Sequence, residues 1–152
     1  MQISHTQFWS TDVERDLGFW TGKLGWEVRE DVKVEEWNFR WLVVAPPAQQ
    51  QVGLVLMDIG MAPWPEEIKD RLGDLVSFGA AGTLFLQVDD CQETYDRLSA
   101  AGVEFTDPPT KQPYGIDTGF RCPSGNSVRM TQVLPFDLER QGELEPPHRR
   151  AD

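Results

Sequence analysis

Residues 5–25 read HTQFWSTDVERDLGFWTGKLG, and residues 83–102, TLFLQVDDCQETYDRLSAAG, repeat the pattern in other letters. The first copy begins with alternation from Ile3 to Trp9, the period of a half-buried strand. Thr11, with Glu14 three residues later, is a capping box that opens a helix. Val13, Leu17, Trp20 and Leu24 recur at four-three-four spacing and so share one buried face, and Gly25 supplies a left-handed stop. In the second copy Thr83 to Val88 is the strand, Asp90 with Glu93 the cap, Cys91, Tyr95 and Leu98 the stripe, and Gly102 the stop. A pattern written twice implies one supersecondary unit used twice.

Three strand-like runs follow each helix. They are Trp26 to Glu30, Asn38 to Val44 and Val52 to Met57 in the first half, then Val103 to Phe105, Ile116 to Arg121 and Ser127 to Val133 in the second. Pro46-Pro47 with the glutamines after it turns the chain before the last strand of the first half, and Pro123-Ser124-Gly125-Asn126 does so in the second. The expected organisation is a βαβββ module over 1–60, a linker with a short helix over 61–80, a second βαβββ module over 81–134, and a disordered tail over 135–152. In the linker, Pro63-Trp64-Pro65 reads as an elbow and Glu66 to Leu75 as the helix. The tail is rich in charge and proline.

With this order in place the chain resembles the vicinal oxygen chelate superfamily, the group of glyoxalase I, extradiol dioxygenases and bleomycin-resistance proteins. The resemblance covers about residues 2 to 134. It rests on His5-Thr6 opening the first strand, Phe19-Trp20-Thr21-Gly22-Lys23-Leu24-Gly25 at the helix end, Gly82 opening the second module, and Tyr114-Gly115 through Cys122-Pro123-Ser124-Gly125-Asn126. It implies an α+β fold in which two paired βαβββ modules curl their mixed sheets into a cup, with small members building that cup as a homodimer.

The resemblance also implies where a metal would sit, since metal-dependent members take four ligands from the first and last strands of both modules. His5 matches the first position. Leu54 stands where a carboxylate is expected, Thr83 where a His is usual and Arg129 where a Glu is usual. Leu offers a divalent cation no donor, and a guanidinium repels it. The expectation is therefore no metal and no other cofactor, with Asp58 the one nearby carboxylate that could join His5 in a rearranged site.

Strand alternation describes the cup walls. If His5 faces inward so do Gln7 and Trp9; Thr83, Phe85 and Gln87 line the opposite wall, while Leu84, Leu86 and Val88 pack on the helices. On the closing strand Ser127, Arg129 and Thr131 form one polar face. Aromatic, amide and hydroxyl groups beside one Arg suit an organic-ligand pocket. The expected ligand contacts are His5, Gln7, Trp9, Leu54, Thr83, Phe85, Gln87, Arg129 and Thr131. Five of the six tryptophans fall within the first 41 residues. Trp20 belongs to the core by helical spacing, and for the others ordinary packing or a subunit interface is the plainer role. Trp37, Phe39 and Trp41 share one parity and Asn38, Arg40 and Leu42 the other, and one of these faces is expected to meet the ligand. A lone histidine on a strand is more often a hydrogen-bonding residue than a catalyst. Tyr114-Gly115 with Asp117 reads as a loop at the cup mouth.

At 152 residues the chain is long enough to bury one core. Fourteen basic against 25 acidic residues give a net charge of −11, which disfavours nucleic acid and anionic membranes because phosphates are repelled. No run approaches a membrane span and the first residues lack the features of a signal peptide, so a cytoplasmic protein is expected. Cys91 and Cys122 have no metal-ligand spacing and read as reduced structural thiols. Three functions fit. The first is metal-independent binding of an aromatic or heterocyclic organic molecule, such as sequestration of a drug or natural product. The second is a lyase, isomerase or dioxygenase-type enzyme built on His5, and the third a non-catalytic interaction module.

Overall fold

A computed structural model describes residues 1–143 of the chain. Two compact units emerge: Met1–Thr83 with Arg121–Ser127, and Leu84–Phe120 with the chain from Val128.

The first unit contains β1 (His5–Ser10), α1 (Val13–Gly22), β2 (Glu27–Val34), β3 (Phe39–Ala45), β4 (Gly53–Asp58) and α2 (Glu66–Phe78). The sheet order is β1-β4-β3-β2, with β1 parallel to β4 and the other pairs antiparallel. Helix α1 begins one residue later than the capping box suggested. Asp12 is its cap, accepting from Arg15 N at 3.0 Å, and Thr11 Oγ1 donates to Ser124 Oγ instead. The chain leaves the helix through Gly25 at φ 71°, as the stop signal requires. One face of the sheet packs on α1. Phe8, Leu42, Val44, Leu54 and Leu56 are buried there, and Trp20, fully buried, sits against Phe8, Phe19 and Trp26 at centroid distances of 6.3, 5.7 and 4.4 Å. Each such side chain contributes about 1.5–3 kcal/mol by leaving water.

The stripe read from spacing is displaced toward the chemistry of Asp16. Asp16, Phe19 and Trp20 are the buried residues of α1. The carboxylate accepts from Ser10 Oγ at 2.6 Å, from Ser124 N at 3.0 Å and from Ser124 Oγ. Asn126 Nδ2 donates to Trp9 O at 2.7 Å. At Gly125, with φ 112°, a Cβ would fall 2.5 Å from Val76 O. These bonds explain why the Arg121–Ser127 turn belongs to the first unit and not to the second half of the sequence.

Apart from the end residues Thr83, Arg121 and Ser127, the second unit holds β5 (Thr83–Gln87), α3 (Cys91–Ala100), β6 (Phe105–Gln112), β7 (Gly115–Arg121) and β8 (Ser127–Val133), the strands hydrogen-bonded in the order β5-β8-β7-β6. Asp90 caps α3 through Glu93 N at 2.9 Å. In β5, Leu84 and Leu86 are half-buried between the exposed Thr83, Phe85 and Gln87. Phe105 joins Tyr95 of α3 at 4.5 Å to Phe120 of β7 at 5.5 Å. Strand β6 runs seven residues beyond the expected Phe105 despite Pro108 and Pro109. It is the edge strand, where a missing N–H costs no ladder bond, and its register shifts between Asp107 and Thr110 accommodate the prolines.

Cys91 and Cys122 are both buried free thiols. Burial pushes Cys122 up to about 11 and raises Cys91 as well. Within the segment read as a disordered tail, Leu138–Glu143 forms a 3-10 helix; residues 144–152 lie outside the described residues. No helix among the described residues is long and apolar enough to cross a membrane.

Candidate functional site

The ladder between β1 and β4 pairs His5 with Gly53, Thr6 with Leu54 and Gln7 with Val55. Partners in parallel register point to the same side of a sheet, so His5, Gln7 and Trp9 share their face with Gly53, Val55 and Met57. Leu54 does not belong there. It is paired with Thr6, only 2% exposed and packed on the helix side, a one-residue difference from the sequence reading that moves it from the ligand wall to the core.

Beside His5 a glycine is required. A Cβ at Gly53 would come within 2.4 Å of Val43 Cγ1 and 3.1 Å of His5 Cδ2. The space it leaves lets the His5 ring meet Trp41 nearly at right angles, at 5.4 Å between centroids and 73° between planes. Trp41 therefore shares the His5 face, and with it Phe39; Arg40 and Leu42 turn to the helix side. There Arg40 holds Asp31 and Glu14 and its hydrogen bond keeps the Asp31 carboxyl below its usual range. Trp37 leaves this pattern. It ends a 3-10 turn and is followed by Asn38 in left-handed conformation, φ 46°, so strand parity does not extend to it.

Strand β2 adds a group that alternation alone does not reveal. Val28 pairs with Val44 but Glu30 pairs with Val43, because Arg29 is the extra residue of a β-bulge. The bulge transfers Glu30 to the His5 face, where its Oε2 accepts from Trp41 Nε1 at 2.8 Å. Arg29 turns to the β3–β4 loop, donating to Pro46 O and Pro47 O at 3.1 and 3.2 Å. A cavity of about 210 Å³ opens here, lined by His5, Arg29, Glu30, Val43, Gly53 and the loop glutamines Gln49 to Gln51.

Further along β1, Gln7 is exposed, and Trp9 is half-buried with Trp64 against it at 5.2 Å. The Pro63-Trp64-Pro65 elbow thus covers one side of the ring expected to be open. Asp58 cannot complete a metal site with His5. Its partner in the ladder is Ser10, five residues from His5, which places the two about 16 Å apart on opposite faces, and its Oδ1 accepts from Gly60 N at 2.7 Å. Around His5, Gly53, Val43 and Trp41 offer a divalent ion no donor and the one nearby carboxylate, Glu30, is engaged by Trp41 Nε1, while His5 Nδ1 is 3.1 Å from Ser4 Oγ. No three His, Cys, Asp or Glu side chains come together to hold an ion among the described residues, and the residues present do not fit the family's four-ligand site.

In the second unit the open face carries Thr83, Gln87 and Phe85, the last 73% exposed. Arg129 and Thr131 are the expected contacts that the structure reassigns. Arg129 forms a fork with Asp107, Nη1 to Oδ1 at 2.9 Å and Nη2 to Oδ2 at 3.1 Å, and Nη2 also contacts Asp117 Oδ1. Thr131 Oγ1 donates to Asp117 Oδ2 at 2.9 Å. Asp117, within the Ile116 to Arg121 strand run but also read with Tyr114-Gly115 as a loop at the cup mouth, is a buried residue of β7, 3% exposed. A Cβ at Gly119 would stand 2.6 Å from Arg129 Nη1, so the glycine makes room for the guanidinium. Arg129 is thus a clamp across the sheet, its charge outnumbered by two carboxylates.

The sequence reading missed Glu30, hidden by the bulge, and Asp107, which sits just before the two prolines that masked β6. Gly53 and Gly119 were the available signals, each an isolated glycine in a strand pattern.

Comparison with known proteins agrees with this architecture. Residues 2–130 match the family model described as Glyoxalase/Bleomycin resistance protein/Dioxygenase superfamily. YurT of Bacillus subtilis (strain 168), a protein without assigned function, is 32% identical over 132 residues, 87% of this chain and 99% of that protein. The crystal structure of UcmS2 superposes with a TM-score of 0.82 at 35% identity, covering 88% of this chain and 98% of that one. That of TnmS3, an antibiotic binding protein from Streptomyces sp. CB03234, gives 0.67 at 26% identity, covering 88% and 97%.

Proposed function

The chain belongs to the glyoxalase/bleomycin resistance protein/dioxygenase superfamily, and from that premise we propose that it binds an aromatic or heterocyclic organic molecule without a metal ion. The observation that carries this reading is the His5 face of the first sheet, where Trp41, Trp9 and a glycine-made recess stand in place of a set of metal donors. A flat aromatic surface beside a small number of polar groups is the make-up of an organic-ligand site. TnmS3, an antibiotic binding protein, supports a natural product or drug as the ligand class and sequestration as the role. Exposed Phe85, with Thr83 and Gln87, supplies a second candidate contact surface. A homodimer in the cytoplasm, with no nucleic-acid or membrane partner, completes the proposal, and the acidic balance supports the last two exclusions.

The test is a panel of planar aromatic compounds followed by tryptophan quenching and thermal shift, since a ligand that binds only the folded state raises Tm. Saturable quenching that weakens in Trp41→Ala and Trp9→Ala is expected; no response across the panel would reject the reading.

One observation favours an enzyme as the second reading. Nδ1 of His5 is paired with Ser4 Oγ while the ring's Cδ2–Nε2 edge adjoins Gly53 at the lined cavity, an arrangement open to general-base chemistry of the lyase or isomerase type. Unchanged turnover of a discovered substrate in His5→Ala would remove that role.

A further inference from the structure

The bulge at Arg29 does more than bend an edge strand. It moves a carboxylate from the side on which simple alternation would leave it to the edge of an aromatic platform. Trp41 is held by the near-perpendicular His5 ring at 5.4 Å and by the hydrogen bond from its Nε1 to Glu30 Oε2 at 2.8 Å. A tryptophan fixed in this way presents its ring with little rotamer freedom left to lose on binding.

Glu30 accepts that indole N–H and forms no ion pair among the described residues. Arg29 lines the same cavity, but its guanidinium is taken up by Glu27 Oε2 at 3.4 Å and by the carbonyls of Pro46, Pro47 and Gln49 rather than by Glu30. The cavity of about 210 Å³ beside His5 is lined by Glu30 and by a guanidinium already bonded to other groups, and two of its lining residues, His5 and Glu30, hold the Trp41 ring. Indole faces attract cations through their quadrupole, and a carboxylate at the rim adds to the attraction. Anions meet the reverse.

Resting on the reading that this face binds organic molecules, we propose that Glu30 is a specificity-determining residue, positioning Trp41 and selecting ligands that carry a protonated amine or a cationic heterocycle.

The experiment compares two tricyclic probes of similar size and opposite charge, cationic proflavine and anionic anthraquinone-2-sulfonate. Each is titrated calorimetrically at pH 8 and low salt into the full chain and into Glu30→Gln, which keeps an acceptor for Trp41 Nε1 but removes the charge. Proflavine is expected to bind about tenfold more tightly than the sulfonate. The preference is expected to fall several-fold in Glu30→Gln and in 0.5 M salt, where screening is strong, and to survive in Glu67→Gln, an exposed carboxylate on α2 that controls for the overall acidity. Equal binding of the two probes overturns the selectivity while leaving the binding reading intact. A preference unchanged in Glu30→Gln overturns it equally, assigning the effect to net charge. Binding of neither probe fails the underlying reading and the inference together.

Discussion

Arg129→Ala separates a ligand contact from a structural clamp. The substitution removes the fork to Asp107 and the contact to Asp117, leaving Asp117, 4% exposed at its side chain, with Thr131 as its partner. Breaking a fully buried pair costs about 3–5 kcal/mol because the remaining charge is stranded. Arg129 and Asp107 are 31% and 32% exposed, so water screens part of that loss, and about 2–3 kcal/mol is expected. For a domain of this size that is a fall in Tm of roughly 4–12 °C. Urea unfolding followed by tryptophan fluorescence reads it as a lower midpoint with an unchanged m-value. Arg129→Met combined with Asp107→Asn and Asp117→Asn removes cation and carboxylates together and is expected to recover most of the loss. Arg129→Ala as stable as the parent, within about 0.5 kcal/mol, would refute the clamp.

Four further outcomes follow from the same contacts. Asp16→Ala leaves Ser10 and Ser124 donors without their acceptor in a buried site, and a loss of about 2–4 kcal/mol in urea unfolding is expected. Leu54→Ala is expected to cost about 2–5 kcal/mol as a core cavity, with probe affinity of the surviving folded protein unchanged. Cys122 titrates at about 11 in the folded chain against an ordinary value near 9, so the folded state holds the proton more firmly and stability falls as pH rises between those values; Cys122→Ala flattens that fall, and a thiol reagent at pH 8 labels neither cysteine until urea is added. The Asp31 carboxyl is lowered by its Arg40 hydrogen bond, so its contribution is present above the unfolded value and lost as pH drops through the folded one; Asp31→Asn should shallow the acid limb of the stability curve below about pH 4.

Much of the architecture was legible because it is carried by local chemistry. The capping pair Asp90 and Glu93, the stops Gly25 and Gly102, and the alternation Leu84-Phe85-Leu86 each dictate structure within a few residues. The site was less legible because it depends on register. Leu54 exchanged faces by one position, and Glu30 did so through a bulge whose extra residue has no sequence signature. Arg129 was correctly placed on the polar face of β8, yet its partners Asp107 and Asp117 come from strands whose pairing depends on how β6 accommodates two prolines. Asp16 was passed over because a carboxylate on a helix reads as exposed until the Ser124 turn, more than a hundred residues away, is brought to it.

The measurement that meets the central claim most directly is a calorimetric titration of proflavine into protein dialysed against EDTA, repeated after Zn²⁺ or Mn²⁺ is restored. The account predicts one saturable isotherm, unchanged by the metal and weakened in Trp41→Ala. An isotherm that appears only once the metal is returned would contradict it.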